Sequence, residues 1–245
     1  MGKPAALSIL GIIAVLALYL VLLRHPGHFF KYTFTRGTIT LYSDEPIPSR
    51  SAGEVLDDVR KRLGRTPLFH QTAARQRTIY ICNRNWRFIL FANLRHHVGG
   101  LTYAPLNDNI YLRAAHIDAN RLVGMSGHEV PGERTLGYFI AHEIAHTLVA
   151  DELGAARFWR LPTWINEGYA DYVAKGADFS YEQATGQLRR GDREMAPELS
   201  GLYLRYHLLV AHLLDKKGVS VSNLLSGEYD PAQIEREILA GPSGQ

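Results

Sequence analysis

His142-Glu143-Ile144-Ala145-His146 is followed twenty residues later by Asn166-Glu167-Gly168-Tyr169-Ala170-Asp171. No other feature constrains the fold so strongly, because the two strings make joint chemical sense only if two helices face each other. Residues i and i+4 lie one above the other on a helix. If residues 138–153 are helical, the imidazoles of His142 and His146 point the same way and can grip one metal ion. Glu143 sits one step round from His142, beside the metal rather than on it, where a metal-bound water would lie. Glu167 is the natural third ligand, which leaves a fourth position open. Asp171, one turn beyond Glu167, can accept a hydrogen bond from a ligand imidazole and fix its tautomer.

The flanking residues support two helices. Leu136, Ile140, Ile144 and Leu148 recur at helical spacing around the first string. The second string has its own start at Pro162-Thr163 and its own stop at Gly176. His128-Glu129 begins a similar string, but Pro131 breaks a helix there and Gly132 stands where a second ligand would be needed.

Together these residues resemble the gluzincin clan of metallopeptidases, which includes thermolysin-like and membrane-alanyl-aminopeptidase-like enzymes. The resemblance implies that His142, His146 and Glu167 bind one zinc ion and that Glu143 is the general base. Asp171 matches the clan's carboxylate behind the ligands. Residues 164–172 are most similar to the aminopeptidase branch, where a W-x-N-E-G-x-A string carries the third ligand. Downstream, Tyr203-x-x-Tyr206, residues 208–214, Gly218 and Leu224-Leu225 resemble the helix after the zinc helices in the same group. That likeness implies that Tyr203 supplies its hydroxyl to the transition state, with Tyr206 one turn on; if neither serves, His207 and His212 are next in line. The chain also departs from the pattern. No G-x-M-E-N string occurs in residues 91–133, so aminopeptidase specificity does not carry over, and the spacing from His146 to Glu167 is two residues longer than in that branch. The resemblance covers residues 134–225.

Composition is that of a globular protein: 245 residues, 46% hydrophobic and 21% charged, enough for one full domain or two small lobes. The net charge is +3, with scattered basic residues such as Arg60-Lys61-Arg62 and Arg189-Arg190. That pattern reads as a solvated surface, and no nucleic-acid partner is expected. Cys82 is the only cysteine, so no intrachain disulfide can form, and its apolar surroundings mark it as a small buried hydrophobe.

Residues 5–23 form an apolar run in which only Ser8 and Tyr19 are polar. At about 1.5 Å per residue, a helix of that length just crosses the hydrocarbon core of a bilayer. No small-x-small cleavage site follows. The expectation is a single-pass membrane protein: residues 1–4 as a short tail, 5–23 as an uncleaved transmembrane anchor, and 24–245 as a catalytic domain outside the cytoplasm.

The remaining pattern predicts an α+β domain, with strands first and helices second. Residues 32–41 alternate around Arg36-Gly37 like a hairpin. Residues 51–63 form an amphipathic helix, and residues 77–82 and 109–112 read as strands. Helices follow at 164–175, 202–217 and 231–239. A small sheet would cover the zinc helix and offer an edge strand to an extended substrate, which by resemblance is the zincin layout. His96-His97 and Gly99-Gly100 precede the candidate edge strand, and adjacent histidines in a strand point apart, which argues against a ligand pair. The leading expectation is a membrane-anchored zinc metallopeptidase acting on a peptide or protein substrate. The alternatives are a zinc-dependent hydrolase of a non-peptide bond and a non-enzymatic, membrane-tethered binding module stapled by zinc.

Overall fold

The computed structural model describes residues 3–72, 74–95, 98–196 and 203–241, with side chains from Ile9 onward. His96-His97 lies outside the described residues. The chain opens with helix α1 (Lys3–Arg24) and a 3-10 turn at Pro26–Phe29. A hairpin follows, β1 (Tyr32–Arg36) and β2 (Ile39–Ser43), turning at Gly37, whose φ of +63° suits glycine. Next come α2 (Ser49–Leu63), α3 (Pro67–Gln71), β3 (Arg77–Ile81) and α4 (Asn85–Phe91). Strands β4 (Gly100–Tyr103) and β5 (Asn107–Leu112) complete the main sheet, and β6 (Ala115–His116) with β7 (Arg121–Leu122) forms a small ribbon. The second half is helical among the described residues: α5 (Leu136–Leu153), α6 (Ala155–Phe158), α7 (Thr163–Lys175), α8 (Tyr181–Arg190), α9 (Leu204–Ala211), α10 (Val221–Ser226) and α11 (Pro231–Ala240).

The α+β class therefore stands, with a mixed five-stranded sheet in the order β1-β2-β3-β5-β4. The β2–β3 and β3–β5 pairs are parallel, while β1–β2 and β4–β5 are antiparallel. Strand period sorts the side chains to two faces. Ile39, Leu41, Ile79, Ile81, Ile110 and Leu112 face the main core with α2, α5, α7 and α9. Tyr80, Cys82 and Tyr111 face a second, aromatic core closed by Phe30, Phe88 and Phe91. Cys82 is buried there, as its apolar context predicts. Residues 109–112, read as a strand, fall within β5, which is interior; the sheet's edges are β1 and β4, and β4 starts at Gly100.

Arg77 is almost wholly buried and ties β3 to α5 through Thr147 at 3.0 Å and Asp151 at 3.1 Å. This link fixes the helix carrying the first motif under the sheet. α5 is buried on every face rather than on one stripe, because the sheet, α2, α3, α6 and α7 surround it.

The expected membrane anchor is corrected. Among the described residues, no helix is long and apolar enough to cross a membrane. The physical reason lies in the end of α1, which belongs to the domain. Leu23 is buried in the aromatic core, and its carbonyl accepts hydrogen bonds from Asn109 Nδ2 at 2.9 Å and Tyr111 Oη at 2.5 Å. The Tyr19 hydroxyl donates to the Leu90 carbonyl at 2.7 Å. The run left ahead of Tyr19 covers only about 21 Å, short of the roughly 30 Å of a hydrocarbon core. A single-pass membrane localisation is accordingly not supported.

Candidate metal centre

α5 begins where the Thr135 hydroxyl accepts a hydrogen bond from the Tyr138 N–H at 3.1 Å, satisfying one of the helix's otherwise orphaned donors. Two turns of unbroken helix then place His142 and His146 on the face turned toward α7. α7 starts at Thr163 behind Pro162 and ends at Gly176, whose φ is +56°. Glu167 lies in the middle of α7 and meets both imidazoles. His142 Nε2 lies 3.3 Å from Glu167 Oε2, His146 Nε2 lies 3.6 Å from the same oxygen, and the two Nε2 atoms are 3.2 Å apart. His142, His146 and Glu167 form a group that can hold a metal ion, and it is the one such group among the described residues.

The electrostatics of this group favour a cation. Burial pulls the His146 pKa down, but Glu167 and then Glu143 push it up to about 9. Burial pushes the Glu167 carboxyl up, but His146 and His142 hold it well below the usual carboxylate range. Nitrogen lone pairs turned toward each other at such distances repel unless a proton or a metal ion lies among them. His142 Nδ1 is buried with no hydrogen-bond partner, whereas His146 Nδ1 donates to Asn166 Oδ1 at 3.0 Å. That bond leaves His146 Nε2 directed at the group's centre.

Glu143 is buried between the ligands and the edge strand β4. Burial raises its pKa above the ordinary value; His146 and His142 oppose the rise, Glu167 adds to it, and a hydrogen bond from the Thr102 backbone N–H opposes it. Gly100 makes this approach possible. A Cβ there would stand 2.6 Å from Leu112 Cδ2, which is too close, and a tight 3.0 Å from Glu143 Oε1.

Asp171 does not bond either ligand imidazole. Its Oδ1 accepts from the Tyr138 hydroxyl, and its Oδ2 meets His207 Nδ1 at 2.9 Å and Lys175 Nζ at 3.2 Å. An i+4 step overshoots a full turn by about 40°, and here that rotation carries Asp171 from the metal face toward α9. The expected support of a ligand imidazole falls instead to Asn166. Sequence reasoning passed over this residue, although an amide adjacent to a ligand was a signal in plain view.

Tyr203 lies at the N-terminus of α9 with a left-handed φ of +52°, a conformation that costs a non-glycine residue about 1–2 kcal/mol. Its ring stacks on His142, with centroids 5.5 Å apart and planes 16° from parallel. Burial raises its pKa, helped by the Glu167 and Glu143 charges and by a hydrogen bond to Glu167. Tyr206 points elsewhere, packing against the main core. Its carbonyl presses on Gly168, where a Cβ would come within 2.6 Å of it, so α7 and α9 touch backbone to backbone. His207 and His212 face away from the ligands, toward Asp171 and the Tyr181 hydroxyl. Glu129 of the second His-Glu string pairs with His116 at 2.7 Å on the surface.

A cleft of about 550 Å³ lies over the group, lined by Gly100, Leu101 and Thr102 of β4 and by Tyr138, Glu143 and Tyr203. Comparison with protein-family models and with curated protein sequences gives no match for this chain.

Proposed function

We propose that this chain is a zinc-dependent peptidase related to the gluzincins. The carrying observation is Glu143: a buried carboxyl with a raised pKa, set between three converging metal-ligating side chains and the edge strand of a sheet. A structural metal site is closed by four protein ligands and has no use for such a group. A tetrahedral ion with bonds of about 2.0–2.2 Å needs ligand atoms about 3.3–3.6 Å apart. The observed separations of 3.2, 3.3 and 3.6 Å fit that requirement. Two imidazole nitrogens and one carboxylate oxygen are a donor set that zinc accepts.

Zinc held there supplies a Lewis acid that polarises a carbonyl and acidifies a water. Glu143 takes a proton from the attacking water and returns it to the leaving amine. The Tyr203 hydroxyl, which donates to Glu167 beside the ligands, would turn its single proton from that carboxylate to the oxyanion. Asn166 holds the His146 ring in place. β4 lies at the end of the sheet order and lines the cleft, so it can align an extended chain by backbone pairing. This edge favours a peptide bond over other hydrolysable bonds.

The reading is tested by incubating the purified chain with a broad peptide mixture, with and without a zinc chelator, and identifying products by mass spectrometry. Cleavage that the chelator abolishes and added zinc restores is the expected result. Cleavage indifferent to chelation, or no cleavage of any peptide with zinc present, would refute it.

A further inference from the structure

We infer that the cleft selects peptides bearing a carboxylate near the scissile bond, and that Arg134 receives it. The inference rests on the peptidase reading for the word scissile, but its binding component stands alone. The charged residues lining the cleft divide sharply. Glu143 and Glu167, the acidic ones, belong to the metal centre with the two histidines, while Arg95, Arg113 and Arg134, the ones outside it, are all basic. A cation at the centre adds to the positive field, and clefts lined by one sign of charge concentrate ligands of the other.

Arg134 is the best placed of the three. It directly precedes Thr135, the N-cap of α5. Its guanidinium lies 5.4 Å from the Tyr138 ring centroid and 4.9 Å from that of Phe139. Two aromatic neighbours hold the planar fork before any ligand arrives, which lowers the ordering cost of binding. The Arg134 Nε is buried without a hydrogen-bond partner. The Tyr138 ring in turn lies 5.9 Å from the His142 ring. Those two steps set an upper bound on the distance from Arg134 to the His142 ring, within the reach of about three residues of extended peptide at about 3.3 Å each. A carboxylate that close to the cleaved bond meets a preorganised, always charged, bidentate donor. Two sources supply this chemistry: an Asp or Glu side chain, or the free C-terminus of a short substrate.

The test uses dansylated alanine-based hexapeptides carrying one Glu at each position in turn, their Gln counterparts, and each sequence as free acid and as C-terminal amide. Fluorescence anisotropy with the zinc-loaded Glu143→Gln chain reads binding, and the zinc-loaded wild-type chain reads cleavage. Glu peptides are expected to bind about tenfold or more tightly than Gln peptides at one position or two adjacent ones. If the C-terminus is the source, the acid-over-amide contrast carries that factor instead. Adding Arg134→Gln should bring the Glu-to-Gln affinity ratio, taken within that variant, to about one. Adding Arg134→Lys, which keeps the charge and loses the fork, should retain part of the preference. Equal affinity for charged and neutral peptides, or a preference that survives Arg134→Gln, overturns the inference. Preferential binding with no cleavage by wild type overturns the peptidase reading alone, and cleavage without preference overturns the charge selection alone.

Discussion

At the residue scale, the metal ligands and the groups behind them respond to different measurements. Asp171 bonds Tyr138, His207 and Lys175 in a buried setting and touches neither ligand histidine. Asp171→Asn is therefore expected to cost about 3 kcal/mol of stability, as for a broken buried pair, with zinc affinity close to wild type. Burial pushes the Asp171 carboxyl up, but His207, Lys175 and Tyr138 hold it far below its usual range. The stability it contributes is thus present above the unfolded-state pKa of about 3.9 and fades as pH falls below it. Denaturant unfolding of wild type and variant should show a gap at neutral pH that narrows toward pH 3; a constant gap, or a large loss of zinc affinity, contradicts the assignment. Tyr203 and Tyr206 separate just as clearly. Tyr203→Phe should lower kcat by about 10²–10³ with KM nearly unchanged, because it removes one transition-state donor. Tyr206→Phe should alter stability and leave kcat alone, since that ring packs in the core. The pairing of His142 with His146 was legible in the sequence because helical period alone brings i and i+4 together, and Glu167 joins them from the second motif. The partner of Asp171 was not, because it depends on how α9 crosses α7.

At the element scale, the close approach of β4 to α5 creates the site, and it depends on glycine. Gly100→Ala would place a methyl group against Leu112 and Glu143, and the Leu112 methyl, the strand or the carboxylate must shift. Zinc binding should survive, because the ligands lie on α5 and α7. Turnover should fall by about 10²-fold, the cost typical of a 1 Å misplacement of a catalytic group. Metal analysis and peptide kinetics on the same preparation check both halves, and an unchanged rate would show that β4 does not set the Glu143 position. The ranges of α2, α5, α7 and α11 were readable from apolar spacing and from Gly or Pro stops. β4 was not recognised as a strand, since Gly100 to Tyr103 is too short to alternate visibly and pairs with residues several positions away across a turn. α8 also escaped notice, because its sequence is polar and it buries few residues.

At the scale of the whole molecule, the N-terminal helix and the domain behave as one body at their junction. Composition alone reads residues 5–23 as an anchor, because apolar content does not distinguish lipid-facing residues from those that dock on protein. The second core makes that distinction through Leu23, whose side chain is buried and whose carbonyl is held by Asn109 and Tyr111. Leu23→Ala should destabilise the domain by about 2–5 kcal/mol, the range for a buried leucine. Thermal unfolding of the two chains would detect this, and equal Tm values would mean that the α1 junction contributes nothing. The central claim concerns the metal and the base together. It is tested most directly by titrating metal-stripped wild-type and Glu143→Gln chains with zinc while following hydrolysis of one cleavable peptide. Both chains should bind one zinc, and the wild-type rate should rise and saturate at that equivalent. The variant should stay about 10²–10⁴-fold slower at every point. Hydrolysis at full rate before zinc is added, or a Glu143→Gln chain as fast as wild type, would contradict the account.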